Sequence, residues 1–250
     1  MDLNQHNIEI QKNLNYWKQK PVLREIYQQF YELIAGQLIR SLNGNIVELG
    51  SGIGNIKMII PEAICTDIFK NPWIDRVENA YQLSFADNSI SNLILFDVFH
   101  HLEFPGTAFK EFFRVLAPSG RLIIFEPYIS FTGLFIYGIF HHEPVGIFKK
   151  INWFAFDGFD PWKINYYAAQ GNATRVFFSK KYSQYLSGFE MVLKKRIPAL
   201  PYIFSGGYSK PQILPENALR YLQQLESLAE KIPALFATRV LIVLSKKENK

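Results

Sequence analysis

The run Asn45-Ile46-Val47-Glu48-Leu49-Gly50-Ser51-Gly52-Ile53-Gly54-Asn55 constrains the fold more than any other stretch of the chain. Ile46, Val47 and Leu49 make a short apolar run with β-branched residues, which suits a strand buried on both faces of a parallel sheet. Glycine then recurs at every second position, 50, 52 and 54. A strand that bends sharply into a helix needs residues without Cβ there, so that backbone can approach a ligand and present free N–H groups. The stretch therefore reads as a cofactor cradle, against the plainer alternative of a tight turn that binds nothing.

The spacing narrows the ligand. Dinucleotide-binding turns usually carry G-x-G-x-x-G, whereas here a carboxylate, Glu48, sits at the strand end and the glycines alternate. An anion there would repel a pyrophosphate and attract the ammonium of an amino-acid cofactor. Residues 55–60 leave room for a brief helix before Pro61, and Ala63-Ile64-Cys65-Thr66 reads as a second strand ending in Asp67. Asp67 follows Glu48 by about 20 residues, the separation at which nucleotide-binding βαβ units place an acid on ribose hydroxyls.

The rest of the chain builds around this core. Upstream, Pro21 opens a run in which Ile26, Phe30, Leu33, Ile34 and Leu38 recur at helical spacing, closed by Asn43-Gly44. This helix should cover a sheet edge, with Tyr16-Trp17 padding it or lidding the cofactor. Downstream, residues 68–78 carry Asn71-Pro72-Trp73 and are short for a helical crossover. Leu93-Ile94-Leu95-Phe96 reads as a strand that ends in Asp97-Val98-Phe99-His100-His101-Leu102, where open α/β sheets gather ligand contacts. A helix from Thr107 carries Phe109, Phe112, Phe113 and Leu116 on one face, Pro118-Ser119-Gly120 turns the chain, and Arg121-Leu122-Ile123-Ile124-Phe125 forms a strand stopping at Glu126-Pro127. Alternating strands and helices argue for a doubly wound, mostly parallel sheet.

Length and composition set the outer limits. A chain of 250 residues and 29.0 kDa fits one α/β domain over 1–250, with a helical cap at 1–44, a cofactor-binding core at 45–127, an insertion at 128–185 and closing strands and helix at 186–250. The net charge is +5, but Lys and Arg are scattered, and Lys194-Lys195-Arg196 is too short for a nucleic-acid footprint. That pattern argues against DNA and RNA as partners. A single cysteine, Cys65, cannot form an internal disulfide and reads as a buried strand residue rather than a nucleophile. With the polar opening residues it leads to the expectation of a cytoplasmic protein. The apolar window at 133–140 is too short to span a bilayer, although it could touch a membrane surface.

Four motifs together carry a family resemblance: Glu48 to Gly54; Leu83-Ser84-Phe85-Ala86-Asp87-Asn88-Ser89; Asp97 to Leu102; and Arg114-Val115-Leu116-Ala117-Pro118-Ser119-Gly120-Arg121-Leu122. In this order and at these gaps, over about residues 46–127, the chain resembles class I S-adenosylmethionine (SAM) dependent methyltransferases of the type 11 family. The resemblance implies a Rossmann-like seven-stranded sheet with an antiparallel last strand. The late strand-like runs at 189–194 and 238–244, with an amphipathic helix from Pro215 between them, would supply its closing hairpin. It also implies SAM as cofactor, with S-adenosylhomocysteine as product. Glu48, Gly50 and Ser51 would lie at the methionine part, Gly52 and Gly54 would allow close approach, and Asp67 would hold the ribose. Ile68, Asn79 and Ala80 would border the adenine, with Asp97 and Val98 at the neighbouring strand end. Asn79 stands where the family often has Asp, and its carbonyl can still accept from an amine.

Residues 128–185 hold 17 of the chain's 39 aromatic residues, so this insertion either lines a substrate cavity or forms the core of a lid. Glu126, Tyr128, Tyr137, His142, Trp153 and Trp162 are the candidates for substrate contact. Methyl transfer to a hydroxyl also needs a base within hydrogen-bond reach. His100, His101, His141 and Glu143 are the catalytic candidates, His101 near the cofactor and the others as base, although each histidine could equally make a structural hydrogen bond. A metal held by the His pairs and Glu143 is set aside, because adjacent histidines usually diverge, and the expected metal complement is none. No Asn-Pro-Pro-Tyr type run follows the fourth strand, which argues against DNA and glutamine methylation. The expected function is methyl transfer from SAM to a small or lipid-like acceptor. The alternatives are a SAM-binding module without turnover and an RNA methyltransferase.

Overall fold

The computed structural model of the protein describes residues 3–139, 143–163, 165–208, 210–212 and 215–248. Two helices lead, α1 (Leu3–Gln19) and α2 (Pro21–Ala35). Pro21 occupies the first turn of α2, where its fixed φ favours the helix and its missing N–H breaks no bond. Of the periodic stripe read from the sequence, Ile26, Phe30 and Ile34 are buried in α2 and Leu33 is half-buried, while the helix ends at Ala35 rather than at Asn43-Gly44 and leaves the buried Leu38 beyond it.

Seven strands form one sheet: β1 (Asn45–Leu49), β2 (Ile64–Asp67), β3 (Arg76–Val77), β4 (Ile90–Phe96), β5 (Leu116–Pro127), β6 (Phe189–Ile197) and β7 (Arg239–Lys246). Their order is β3-β2-β1-β4-β5-β7-β6. The first five pair in parallel, and β7 runs antiparallel to both β5 and β6. This is the expected doubly wound, mostly parallel sheet with its antiparallel last strand. The order reverses between β1 and β4, and that crevice is where open α/β sheets bind ligands.

Strand periodicity sorts the core into two layers. Leu93 and Leu95 of β4, Leu122 and Ile124 of β5, and Ile242 and Leu244 of β7 pack on one face. Ile94 and Phe96, Ile123 and Phe125, and Leu241 and Val243 pack on the other, beneath α2. Neighbouring side chains of a strand point to opposite faces, so a sheet covered on both sides needs apolar residues throughout. On the first face, α3 (Pro105–Val115) buries Phe109 and Phe112, each contributing about 1.5–3 kcal/mol by burial.

Three further elements differ from expectation. Pro118-Ser119-Gly120 does not turn the chain before the strand. Instead β5 already begins at Leu116 and absorbs the triplet as an irregularity: Ile90 pairs with Leu116, the next partners are Asn92 and Arg121, and Ser119 has φ +63. The insertion contributes α4 (Phe131–Ile139) and α5 (Asn172–Phe177), and an unforeseen short helix, α6 (Leu200–Phe204), follows β6. The helix expected from Pro215 to Ile232 is broken into a 3-10 turn (Glu216–Ala218), α7 (Leu219–Ala229) and α8 (Pro233–Phe236), since Pro233 restarts rather than continues a helix.

The rest of the insertion is held by backbone bonds to the sheet's ligand-binding end and to α3. Ala169 N donates to His100 O at 3.0 Å, and Gly106 N donates to Trp153 O at 2.7 Å. Among the described residues no helix is long and apolar enough to cross a membrane.

Candidate active site

The bend after β1 is built from left-handed backbone. Gly50, Gly52 and Gly54 have φ of +66, +54 and +69, a region that costs other residues strain. A Cβ at Gly50 would lie 2.4 Å from Val98 Cγ2, and one at Gly54 would lie 2.8 Å from Trp73 O. At Gly52 the nearest atom would be Ile10 Cδ1 of α1, at 3.8 Å, so this glycine is required by conformation and not by crowding.

Ser51 knits the bend to β2: its Oγ accepts from Thr66 N at 3.1 Å and donates to Glu48 O at 3.2 Å. Asp67, at the end of β2, accepts from Gly52 N at 3.1 Å and from Ile68 N at 2.7 Å. The two sequence-predicted ends, glycine bend and acid, are therefore in direct contact.

Glu48 is enclosed beneath the bend, with 1% of its surface exposed. Tyr31 of α2 donates its hydroxyl to Oε1 at 3.0 Å, while Oε2 has no hydrogen-bond partner. Burial pushes the carboxyl up to about 7, against the pull of Ser51 and Tyr31, and Asp67 adds to the rise. A buried acceptor with an unused oxygen gains from any donor a ligand brings. The residues present thus suit a group with a cationic or N–H end beside Glu48 and hydroxyls beside Asp67.

The adenine-side candidates are partly committed. Asn79 donates from Nδ2 to Pro161 O at 2.6 Å and accepts at Oδ1 from Tyr81 N at 2.9 Å, which ties the insertion to this loop. Its carbonyl keeps one lone pair. Ala80 and Val98 are half-buried against the core.

Asp97, past the end of β4, adopts φ +57 and pairs with the buried guanidinium of Arg239. Arg239 opens β7 and lies 4.4 Å from the Tyr202 ring centroid, and Asp97 helps to hold it charged despite burial. Sequence reasoning missed Arg239. The available signal was a lone cation at the start of an otherwise apolar strand.

Next to Asp97, a 3-10 turn (Phe99–His101) presents two histidines. His100 is buried; its Nδ1 lies 2.7 Å from Glu126 Oε2, and Glu126 Oε1 accepts from Phe99 N at 2.6 Å. On its other side, His100 Nε2 is 3.2 Å from Glu143 Oε2. His101 Nδ1 is 2.9 Å from Tyr167 O, and its Nε2 is 3.5 Å from Glu143 Oε1. Tyr166 OH donates to Glu143 Oε1 at 2.8 Å, and Gln170 Nε2 donates to Glu143 Oε2.

Burial opposes charge on His100, but Glu126 and Glu143 outweigh it and lift the ring to about 10. Burial and the charge of His100 push His101 down to about 4. Burial raises Glu126, whereas for Glu143 the histidines and Tyr166 overcome burial and hold it well below the usual carboxylate range.

The structure thus brings His100, His101, Glu126 and Glu143 together. His141 and His142 lie outside the described residues. The aromatic candidates go elsewhere. Trp153 packs in the core, stacked on Tyr182 and Tyr185 with ring centroids 5.3 and 5.0 Å away, beside a cavity of about 560 Å³ that Phe104 and Phe156 also line. Tyr128 meets Phe178 edge-on, Tyr137 OH donates to Thr238 O at 2.8 Å, and the exposed Trp162 donates to Gln82 Oε1 at 3.0 Å. Tyr166 and Gln170, both in the cluster, were not foreseen.

Comparison with known proteins locates the same region. Residues 48–124 match the family model described as Methyltransferase domain. No curated protein matches the sequence. A SAM-dependent methyltransferase of Thermotoga maritima, described as a possible histamine N-methyltransferase, shares the fold at TM-score 0.58 and 14% identity, over 96% of this chain and 99% of that one. Geranyl diphosphate C-methyltransferase of Streptomyces coelicolor A3(2), solved with Mg2+, geranyl-S-thiolodiphosphate and S-adenosyl-L-homocysteine, matches at TM-score 0.52 and 10% identity, over 88% and 76%. A SAM-dependent methyltransferase of Methanosarcina mazei matches at TM-score 0.50 and 16% identity, over 87% and 98%.

Proposed function

We propose that the chain is a SAM-dependent methyltransferase, as the match of its residues 48–124 to the methyltransferase domain model supports, and that it methylates a small or lipid-like acceptor in the cytoplasm. The observation that carries the reading is the left-handed glycine bend, closed by Asp67 and underlain by Glu48, which carries an oxygen without a partner. When bound, SAM supplies an electrophilic methyl group on a sulfonium. Glu48 would meet its amino-acid end, Asp67 its ribose hydroxyls, and the bend would let backbone N–H groups approach closely.

Most of the catalytic effect in such a displacement comes from holding the two reactants in line and excluding water. His101, Glu143 and Tyr166 are the cluster members that solvent reaches, so they are the groups an acceptor would meet. His100, held protonated between Glu126 and Glu143, is suited to orienting Glu143 rather than to accepting a proton. Support for an apolar acceptor comes from α4, whose Phe131, Phe135 and Ile139 are exposed, and from the aromatic density of the insertion.

Methyl transfer from radiolabelled SAM tests the acceptor class. The purified chain is incubated with separate fractions of a cell extract: low-mass polar, organic-soluble and RNA. Label should appear in a low-mass or organic-soluble fraction. Label confined to RNA, or to no fraction while SAM binds, would overturn this reading.

A further inference from the structure

The clearest unassigned feature is the way two consecutive histidines converge. Side chains of neighbouring residues usually diverge, yet the His100 and His101 ring centroids are 4.1 Å apart. Both Nε2 atoms approach one carboxylate, at 3.2 Å and 3.5 Å from the two oxygens of Glu143. Both Nδ1 atoms are turned the other way, onto Glu126 Oε2 at 2.7 Å and Tyr167 O at 2.9 Å.

Counting hydrogens exposes the problem this arrangement poses. A neutral imidazole has one N–H, and a backbone carbonyl can only accept. The His101 hydrogen therefore belongs on Nδ1, which leaves the Nε2 lone pair facing an anionic oxygen. A His100 ring that gives up its second proton repeats the pattern, with the carboxylate of Glu126 as the acceptor on its Nδ1 side. Two Nε2 atoms aimed at one carboxylate need a cation between them, either an extra proton, as on the charged His100 of the ion-free cluster, or a metal ion that takes its place.

The distances favour an ion. Zinc bonds to nitrogen and carboxylate oxygen at about 2.0–2.2 Å in tetrahedral sites, which separates neighbouring ligand atoms by roughly 3.3 Å. The observed separations bracket that value, and the ligand atoms of His100, His101 and Glu143 all lie within 4.8 Å of one another. Metal-binding histidines also characteristically donate their other N–H to a carboxylate or backbone carbonyl. Glu126 and Tyr167 O are in those positions.

A second trio, Asp97, His100 and Glu126, also lies close together. Its chemistry is already spent, however: Asp97 pairs with Arg239, and Glu126 with His100 Nδ1.

We infer that His100 Nε2, His101 Nε2 and the Glu143 carboxylate form a binding site for one divalent first-row transition-metal ion, zinc above the oxygen-seeking magnesium and calcium. Gln170 is poised for the fourth position. Its Nε2 lies 3.2 Å from His100 Nε2, and its Oε1 has no hydrogen-bond partner. Half a turn of the amide would carry that oxygen to the ion. Tyr166 OH fixes the orientation of Glu143. The site itself does not depend on the methyl-transfer reading. Only its role does: two residues past Val98, which packs against Gly50, an ion at which an acceptor oxygen or nitrogen displaces the Gln170 amide would hold that acceptor and ease loss of its proton.

The test uses the untagged full chain, stripped with a chelator and titrated with zinc by calorimetry and with cobalt by visible absorption. One ion should bind per chain, and the cobalt spectrum should be that of a tetrahedral nitrogen–oxygen site. His101→Ala and Glu143→Gln, checked for folding by circular dichroism, should abolish saturable binding. Glu126→Gln should weaken it roughly 10- to 100-fold, as loss of an orienting partner does, while Asp160→Asn on the surface should change nothing. Magnesium binding more tightly than zinc, folded His101→Ala binding like wild type, or both rings carrying two hydrogens by nitrogen NMR in zinc-treated protein would each overturn the site. SAM binding is read separately, so failure here leaves the methyltransferase reading intact.

Discussion

The glycine bend and the histidine cluster sit at the same end of one sheet, yet they are built by different means. The bend is backbone: three left-handed glycines, a strand end and an acid that accepts from two main-chain N–H groups. The cluster is side chain on side chain, with two buried groups, His100 and Glu126, sustaining each other's charge. A backbone site fails when a Cβ is added, because geometry is lost. A charge network fails when a partner is removed, because a desolvated ion is left alone.

Deleting a cluster partner should have the larger effect on stability. His100→Ala strands Glu126 in the core and should cost about 3–5 kcal/mol, as breaking buried ion pairs does. Urea denaturation measures it, and the dissociation constant for SAM should change little. Gly50→Ala adds left-handed strain to a collision with Val98 and should cost about 2–4 kcal/mol. In contrast to His100→Ala, it should also weaken SAM binding.

Glu48 gives a pH signature. Its carboxyl is near 7 when folded and 4.5 ordinarily, so the folded state binds the extra proton between those values. Stability should therefore fall as pH rises from about 4.5 to 7 and level off above, by at most about 3 kcal/mol. Glu48→Gln should flatten that slope. The smallest stability effect belongs to Gly52→Ala, where only Ile10 is near and strain alone costs about 1–2 kcal/mol. If Gly52→Ala binds SAM like wild type, the backbone account of the bend is wrong.

The same contrast explains what could be read without coordinates. The apolar runs, the alternating glycines and the acids closing β1 and β2 are neighbours in sequence, so short-range pattern located them. His100 and Glu126 were each visible at a strand end. Their pairing follows from the parallel register that sets Phe96 beside Phe125, which the sequence only implies. Gln170, in Ala168-Ala169-Gln170-Gly171, carries no periodic signal, and its place depends on how the irregular insertion docks on His100. Trp153 has the residue type of a substrate contact, but Gly106 opens room for it against α3, and packing claims it. The expectation that adjacent histidines diverge failed because Glu126 and Tyr167 O rotate both rings the same way.

The central claim is that the bend with its two acids holds SAM, and titration of the folded chain with S-adenosylhomocysteine by calorimetry tests it most directly. One molecule should bind per chain, and Asp67→Ala, which removes hydrogen bonds to a charged acceptor, should weaken binding by roughly 10- to 100-fold. No saturable heat, or a folded Asp67→Ala variant that binds as tightly as wild type, would contradict it.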